Sequence, residues 1–214
     1  YKMDYQNMLK HHLDNNAEIT IAGTEVPQKE ANRFGILEVN NRNKVIGFEE
    51  KPENPKSNMA SMGIYIFSVD ALEALLEEAT EGDIDFGKNI IPKSIDGKRD
   101  VSLYKFDGYW RDVGTVASLY QVNMDLLDNP DFLDLNISGD MAIYSKSLNL
   151  NPHVMLNKAK CKNSVIADGC LINGEIIHST IAYESIVEAG AKVIDCVLLP
   201  NVKVGYNAFL RKCI

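Results

Sequence analysis

The sequence predicts an α/β layered domain followed by a three-sided parallel β-helix, and two periodicities carry that reading. Up to about residue 135, amphipathic helical stripes alternate with short β-branched runs, the pattern of helices packed on a sheet. Beyond it helical spacing vanishes and apolar residues recur at every sixth position: Val165, Leu171, Ile177; Ile181, Val187, Val193; Leu198, Val204, Leu210. Six residues per side and three sides per coil would let one side chain per side fill a triangular interior. Phase slips of four and five residues, from Ile177 to Ile181 and from Val193 to Leu198, read as irregular corners. Gly169, Gly174, Gly190 and Gly205 fall where such turns want a permissive backbone. A β-sandwich of short strands is the alternative. The expected domains are 1–135 and 136–214.

The individual elements follow in order. Tyr5, Met8, Leu9 and His12 share one face of a helix within Lys2–Asn15, and Ile19 and Ile21 alternate with Thr20 in a strand over Glu18–Val26. Asn40-Asn41-Arg42-Asn43 is a polar turn, which makes residues 36–49 a hairpin. Met62–Phe67 reads as a buried strand. Asp70 with Glu73 three residues on resembles a helix cap, and Leu72, Leu75, Leu76 and Ala79 form that helix's stripe. A strand over Val101–Phe106 and a helix from Thr115, with Leu119, Val122 and Leu126 inward before Pro130, complete the first domain.

Composition narrows the function classes. With 214 residues, 45% hydrophobic and 24% charged, the chain is not disordered, and no apolar run approaches the roughly 18 residues of a membrane span. The net charge of −8 is uneven, with 14 Lys/Arg against 24 Asp/Glu in residues 1–135 and 8 against 6 after them. An acidic first domain has no broad attraction for nucleic-acid phosphates, so any phosphate it binds is met by a few placed groups. Cys161, Cys170, Cys196 and Cys213 follow neither metal-ligand spacing nor a dense disulfide framework, and read as reduced thiols of a cytoplasmic protein. The opening Tyr1-Lys2-Met3-Asp4 is not a signal peptide, and the chain reads as a piece of a longer one.

Four segments could carry chemistry. Phe48-Glu49-Glu50-Lys51-Pro52 ends a strand, where a proline restrains the exit and an ammonium suits a phosphate as a point charge, while a neighbouring carboxylate accepts from sugar hydroxyls. A charged hairpin end in solvent explains the same residues. Ser57-Asn58-Met59-Ala60-Ser61-Met62-Gly63 could set a serine hydroxyl and a backbone amide at the mouth of the next strand, and Gly35 after Arg33-Phe34 would let a ligand approach the main chain. Small residues that merely permit packing fit equally. In Gly108-Tyr109-Trp110-Arg111-Asp112-Val113-Gly114-Thr115, Asp112 could ligate Mg2+, a cation that shares hard oxygen ligands with substrate phosphates, or could pair with Arg111. His153 and His178 have no carboxylate or cysteine at ligand spacing, so no zinc site is expected.

Taken in order, Tyr1-Lys2-Met3-Asp4-Tyr5, Arg33-Phe34-Gly35-Ile36, Phe48-Glu49-Glu50-Lys51-Pro52, Pro55-Lys56-Ser57-Asn58, Ala60-Ser61-Met62-Gly63-Ile64-Tyr65, Asp85 through Pro92 and Gly108 through Thr115 resemble the glucose-1-phosphate adenylyltransferases of bacterial glycogen synthesis. That resemblance implies a partial Rossmann-like nucleotidyltransferase domain and an incomplete left-handed β-helix of hexapeptide type. It implies Lys51 as the ligand of the sugar phosphate, Glu50 and Ser61 as sugar contacts, the Gly35 backbone against the same ligand, and Asp112 as catalytic carboxylate on Mg2+. The implied substrates are ATP and glucose 1-phosphate, with a homo-oligomeric, usually tetrameric assembly and a sugar-phosphate effector, and without nucleic acid or membrane as partner. The family's glycine-rich nucleotide loop and first metal aspartate are missing here, so the expectation is a sugar-phosphate half-site, little turnover in isolation, and self-association through unpaired strand edges. The competing readings are a non-catalytic regulatory subunit, a nucleotidyltransferase for another sugar nucleotide, and a hexapeptide acyltransferase with His178 as base.

Overall fold

The computed structural model describes residues 1–79, 85–130 and 146–214. They form two compact units, Met3–Gly108 and Tyr109–Ile214, the latter with Tyr1–Lys2. The expected boundary between Leu135 and Asn136 lies outside the described residues.

In the Met3–Gly108 unit, strands β1 (Ile19–Glu25), β2 (Gly35–Val39), β3 (Val45–Glu50), β4 (Met59–Phe67) and β5 (Val101–Lys105) form one sheet in the order β3-β2-β4-β1-β5. β1 runs parallel to β5 and antiparallel to β4; the β2–β3 hairpin is antiparallel, as its polar turn predicts. Helices α1 (Tyr5–Asp14), α2 (Val69–Glu77) and α3 (Ile91–Asp96) accompany the sheet. Ile19, Ile21, Leu37, Val45, Leu75, Ile90, Ile91, Val101 and Leu103 make its core.

Several local expectations change. β1 does not alternate: its first six residues are all buried, because a central strand is covered on both faces. Thr20 is tolerated there because its hydroxyl lies 2.8 Å from His12 Nδ1, while His12 Nε2 lies 3.2 Å from Ser68 Oγ. The buried face of α1 is Met8 and His12, and Tyr5 and Leu9 are exposed. Asp70 does not cap α2; Ser68 occupies that position, and Ala71 and Leu75 are inward while Leu76 is exposed. The stretch Ile64–Phe67 is half-buried rather than buried.

In the other unit, helix α4 (Val116–Asp128) starts at Thr115, whose side chain caps the Ser118 N–H while the Ser118 hydroxyl accepts from the Thr115 N–H. The remaining chain forms three parallel sheets. One holds Lys160–Lys162, Glu175–Ile177, Lys192–Ile194 and Phe209–Arg211; the second Val165–Ile166, Thr180–Ile181 and Val197–Leu198; the third Val154–Met155, Leu171–Ile172, Ile186–Val187 and Lys203–Val204. Ile172, Ile176, Ile181, Val187, Val193, Leu198 and Val204 fill the interior.

The second and third apolar series therefore point inward as expected, but the first is displaced by one residue. Ile172 and Ile176 are inward, whereas Val165 and Leu171 are exposed and Ile177 is half-buried. The pairs Val165-Ile166, Leu171-Ile172 and Ile176-Ile177 present two apolar residues each, so periodicity could not choose between them. Gly169 and Gly190 do have positive φ, of 77° and 75°, but most such corners use Asn163, His178, Glu184, Asp195, Asn201, Asn207 or Lys212 instead. Gly174 serves close packing, since a Cβ there would lie 2.5 Å from the Ala191 carbonyl oxygen.

α4 packs on the second sheet through Met124 and Leu127 against Val197, with Leu119, Val122 and Leu126 only half-buried. Tyr120 O–H donates to the Asp195 carbonyl at 2.9 Å, and Thr180 O–H donates to Asn123 Oδ1 at 3.0 Å. His178 bridges Asp195 and Asp128, at 2.8 Å from Nδ1 and 2.9 Å from Nε2.

The two histidines make opposite pH predictions. The Asp195 hydrogen bond, and then Asp128, raise the His178 pKa above its usual 6.5 against the opposing effect of burial. Its stabilisation is complete below about pH 6.5 and is lost as pH rises through the raised value. Burial, and then the charge of His11, lower the His12 pKa, so its contribution is present above about pH 6.5 and is lost on acidification. Chemical unfolding across pH should show a shallower alkaline loss in His178→Asn and a shallower acid loss in His12→Gln. A profile unchanged by either substitution would contradict these assignments.

Candidate active site

The loop between β3 and β4 begins with Lys51 in a left-handed conformation, φ 49°. A lysine there, directly before Pro52, is strained, because the Cβ crowds the carbonyl and the proline disfavours compact backbone before it. The Lys51 N–H holds the turn by donating to the Phe34 carbonyl at 3.0 Å. Its ammonium projects into solvent, with Glu50 Oε1 the one carboxylate oxygen paired with it among the described residues, 3.5 Å away.

Glu50 faces Gly35 across the β2–β3 ladder. A Cβ on Gly35 would lie 2.5 Å from Phe48 Cζ and 2.9 Å from Glu50 Oε2, and one on Gly87 would lie 3.0 Å from the same oxygen. The two glycines thus leave room around one oxygen of a partly exposed carboxylate. Ser61 reaches the neighbourhood through a bulge: between the pairs Ile21–Tyr65 and Gly23–Ser61, β4 carries two more residues than β1. That extra length, with Gly63 at φ 72°, brings Ser61 Oγ to 3.5 Å from Tyr65 O–H.

Tyr65 stacks on Phe86 at 5.9 Å. Burial pushes the Tyr65 hydroxyl pKa up, and the charges of Glu50 and Asp85 add to this while Ser61 opposes it. Sequence reasoning placed Gly35, Glu50, Lys51 and Ser61 as candidates, and the fold groups Glu50 with Gly35 and Lys51, and Ser61 with Tyr65. It missed Tyr65, Asp85, Phe86 and Gly87 as participants. The signal available was the Asp85-Phe86-Gly87 run, a π-type turn over Phe86–Ile90 in which the Asp85 side chain accepts from the Lys88 N–H at 2.8 Å.

Asp112 belongs to the other unit, on the loop entering α4. Arg111 does not pair with it; its guanidinium reaches Asp125 Oδ2 at 2.9 Å, where Tyr109 O–H also donates. Burial pushes Asp125 up, yet hydrogen bonds from Gln121, Tyr109 and Arg111 outweigh it and hold the carboxyl below the ordinary range. Asp112 is exposed and makes no hydrogen bond or ion pair among the described residues. A lone hard carboxylate fits Mg2+, which keeps most positions for water and substrate phosphates. Among the described residues no cluster of three or more His, Cys, Asp or Glu could itself hold a metal ion, and no helix is long and apolar enough to cross a membrane.

The family model described as Nucleotidyl transferase matches residues 1–129, and the chain belongs to that family. A second, described as GlmU-like, C-terminal hexapeptide, matches residues 152–214, consistent with a left-handed coil. Among curated relatives, glucose-1-phosphate adenylyltransferases of Bacillus thuringiensis (strain Al Hakam) and Bacillus anthracis are each 44% identical over 217 aligned positions, and that of Bacillus cereus (strain Q1) is 43% identical. The alignment takes in all of this chain and 57% of each of these relatives.

Proposed function

We propose that this chain is part of an enzyme that transfers the adenylyl group of ATP to glucose 1-phosphate, releasing pyrophosphate and giving ADP-glucose for glycogen synthesis. The observation that carries the reading is Lys51, an exposed cation fixed at the β3 exit by its N–H bond to Phe34 and standing beside Glu50. The names of the relatives agree with it.

In this reading the Lys51 ammonium holds the sugar phosphate as a point charge. Glu50 and Ser61 take sugar hydroxyls, and the open main chain at Gly35 lets the ligand approach. Placing the phosphate oxygen in line with the nucleotide's α-phosphorus is the protein's main contribution, since such transfer needs positioning more than new covalent chemistry. Asp112 would hold Mg2+, which supplies charge stabilisation for the phosphates. Self-association into a homo-oligomer, response to a sugar-phosphate effector and a cytoplasmic setting belong to the same proposal; free thiols support the last.

The full-length protein should release pyrophosphate from ATP only when glucose 1-phosphate and Mg2+ are present, and ATP should outperform UTP and dTTP. Preference for UTP or dTTP would move the reading to another sugar nucleotide. Absence of pyrophosphate release from every triphosphate would leave a non-catalytic regulatory subunit. His178 does not favour the acyltransferase, because both its ring nitrogens are engaged by aspartates.

A further inference from the structure

One column of the β-helix contains chemistry that nucleotidyl transfer does not use. Ser164, Ser179, Cys196 and Cys213 stack in successive coils at separations of 15, 17 and 17 residues. Each coil's backbone N–H is turned toward the side chain one coil earlier. Ser179 N–H donates to Ser164 Oγ at 3.1 Å, Cys196 N–H donates to Ser179 Oγ at 2.9 Å, and Cys213 N–H continues the series to the Cys196 sulfur. The column changes from hydroxyls to thiols at its last two positions, and there the sulfurs lie 3.4 Å apart. Cys170, by contrast, has Ser185 as the corresponding neighbour and no second thiol.

Adjacent β strands are about 4.8 Å apart, inside the Cα separation of about 4.4–6.8 Å that a disulfide spans. Both thiols are free, Cys196 fully buried and Cys213 partly exposed. We infer that Cys196 and Cys213 are a modification site, a dithiol that a hydroperoxide closes to a disulfide, clipping two successive coils together.

The more exposed Cys213 attacks first. Its sulfur takes the terminal peroxide oxygen, the O–O bond breaks, the other oxygen leaves as alcohol or water with the proton that Cys213 gave up, and Cys213 becomes a sulfenic acid. Cys196 then attacks that sulfur; the S–O bond breaks, and the hydroxide leaves as water with the Cys196 proton. Two thiols lose two electrons in total and one peroxide is reduced. Burial pushes the Cys196 thiol pKa up, which disfavours it as the first attacker.

The test uses the full-length protein with Cys161→Ser, which removes the exposed thiol of this stretch. The folded protein is treated with hydrogen peroxide, then denatured, its thiols titrated and its peptides mapped by mass spectrometry. Cys170 should stay titratable while Cys196 and Cys213 do not, a Cys196–Cys213 linkage should appear without dimer, and the unfolding midpoint should rise on the order of 10 °C, reversed by dithiothreitol. Cys196→Ser, lacking the resolving thiol, should instead drive Cys213 to sulfinic acid. Survival of all three thiols, a linkage involving Cys170 or a second chain, or sulfinic acid at Cys213 in the parent would each overturn the inference. The parent's peptide map decides the matter even if Cys196→Ser fails to fold.

Discussion

Replacing Lys51 with alanine in the full-length protein raises the KM for glucose 1-phosphate about 100-fold, the equivalent of roughly 2–3 kcal/mol for a charge-assisted contact to phosphate. Stability hardly changes, because the ammonium is solvent-exposed and its Glu50 partner is already partly wet. Lys51→Gly separates the two demands on this residue. It should abolish the phosphate contact equally while raising stability by up to about 1 kcal/mol, since glycine accepts φ 49° without a Cβ penalty. Steady-state kinetics beside chemical unfolding measures both. An unchanged KM in Lys51→Ala would mean that the phosphate is held elsewhere, and the functional proposal would lose its anchor.

The second large effect lies in the β-helix. Ile176→Ala should cost about 3–4 kcal/mol and lower the unfolding midpoint by roughly 10 °C, since it empties a fully buried site among Ile172, Ile181 and Val193. Ile177→Ala, one residue on and half-buried, should cost less than about 1 kcal/mol. Thermal melts of the two variants read the register directly. A larger loss at Ile177 would show that the six-residue reckoning from Val165 was right and the structural register wrong.

That pair of residues shows where sequence reading stops. A six-step repeat identifies a triangular coil because no other common element buries one residue in six, and it placed Ile181, Val187, Val193, Leu198 and Val204 correctly. Where both residues of a two-residue strand are apolar, the choice of inward residue depends on corner geometry, which composition does not encode. The stripes of α2 and α4 differ from expectation for a similar reason, and that of α1 narrows to Met8 and His12. Ala71, Met124 and Leu127 are inward because of what faces them, not because they are the most apolar residues of their helices.

The candidate site divides along the same line. Gly35, Glu50, Lys51 and Ser61 could be singled out because a strand exit, a proline and small residues are local features. Tyr65, Asp85, Phe86 and Gly87 could not, because their proximity to Glu50 and Ser61 comes from a bulge in β4 and a turn some 20 residues beyond it. His178 has its two carboxylates 17 and 50 residues away, which is why spacing alone found it without a partner.

By itself the sequence determined that a mixed sheet domain precedes a parallel β-helix, and that a lysine closes one of the strands. It could do so because hydrophobic period and turn chemistry act over a few residues. Tertiary structure alone decided which apolar neighbour points inward, which aspartates embrace His178, and that two cysteines seventeen residues apart lie sulfur to sulfur. Those outcomes depend on how successive coils and strands stack, a distance in space that bears no fixed relation to distance along the chain.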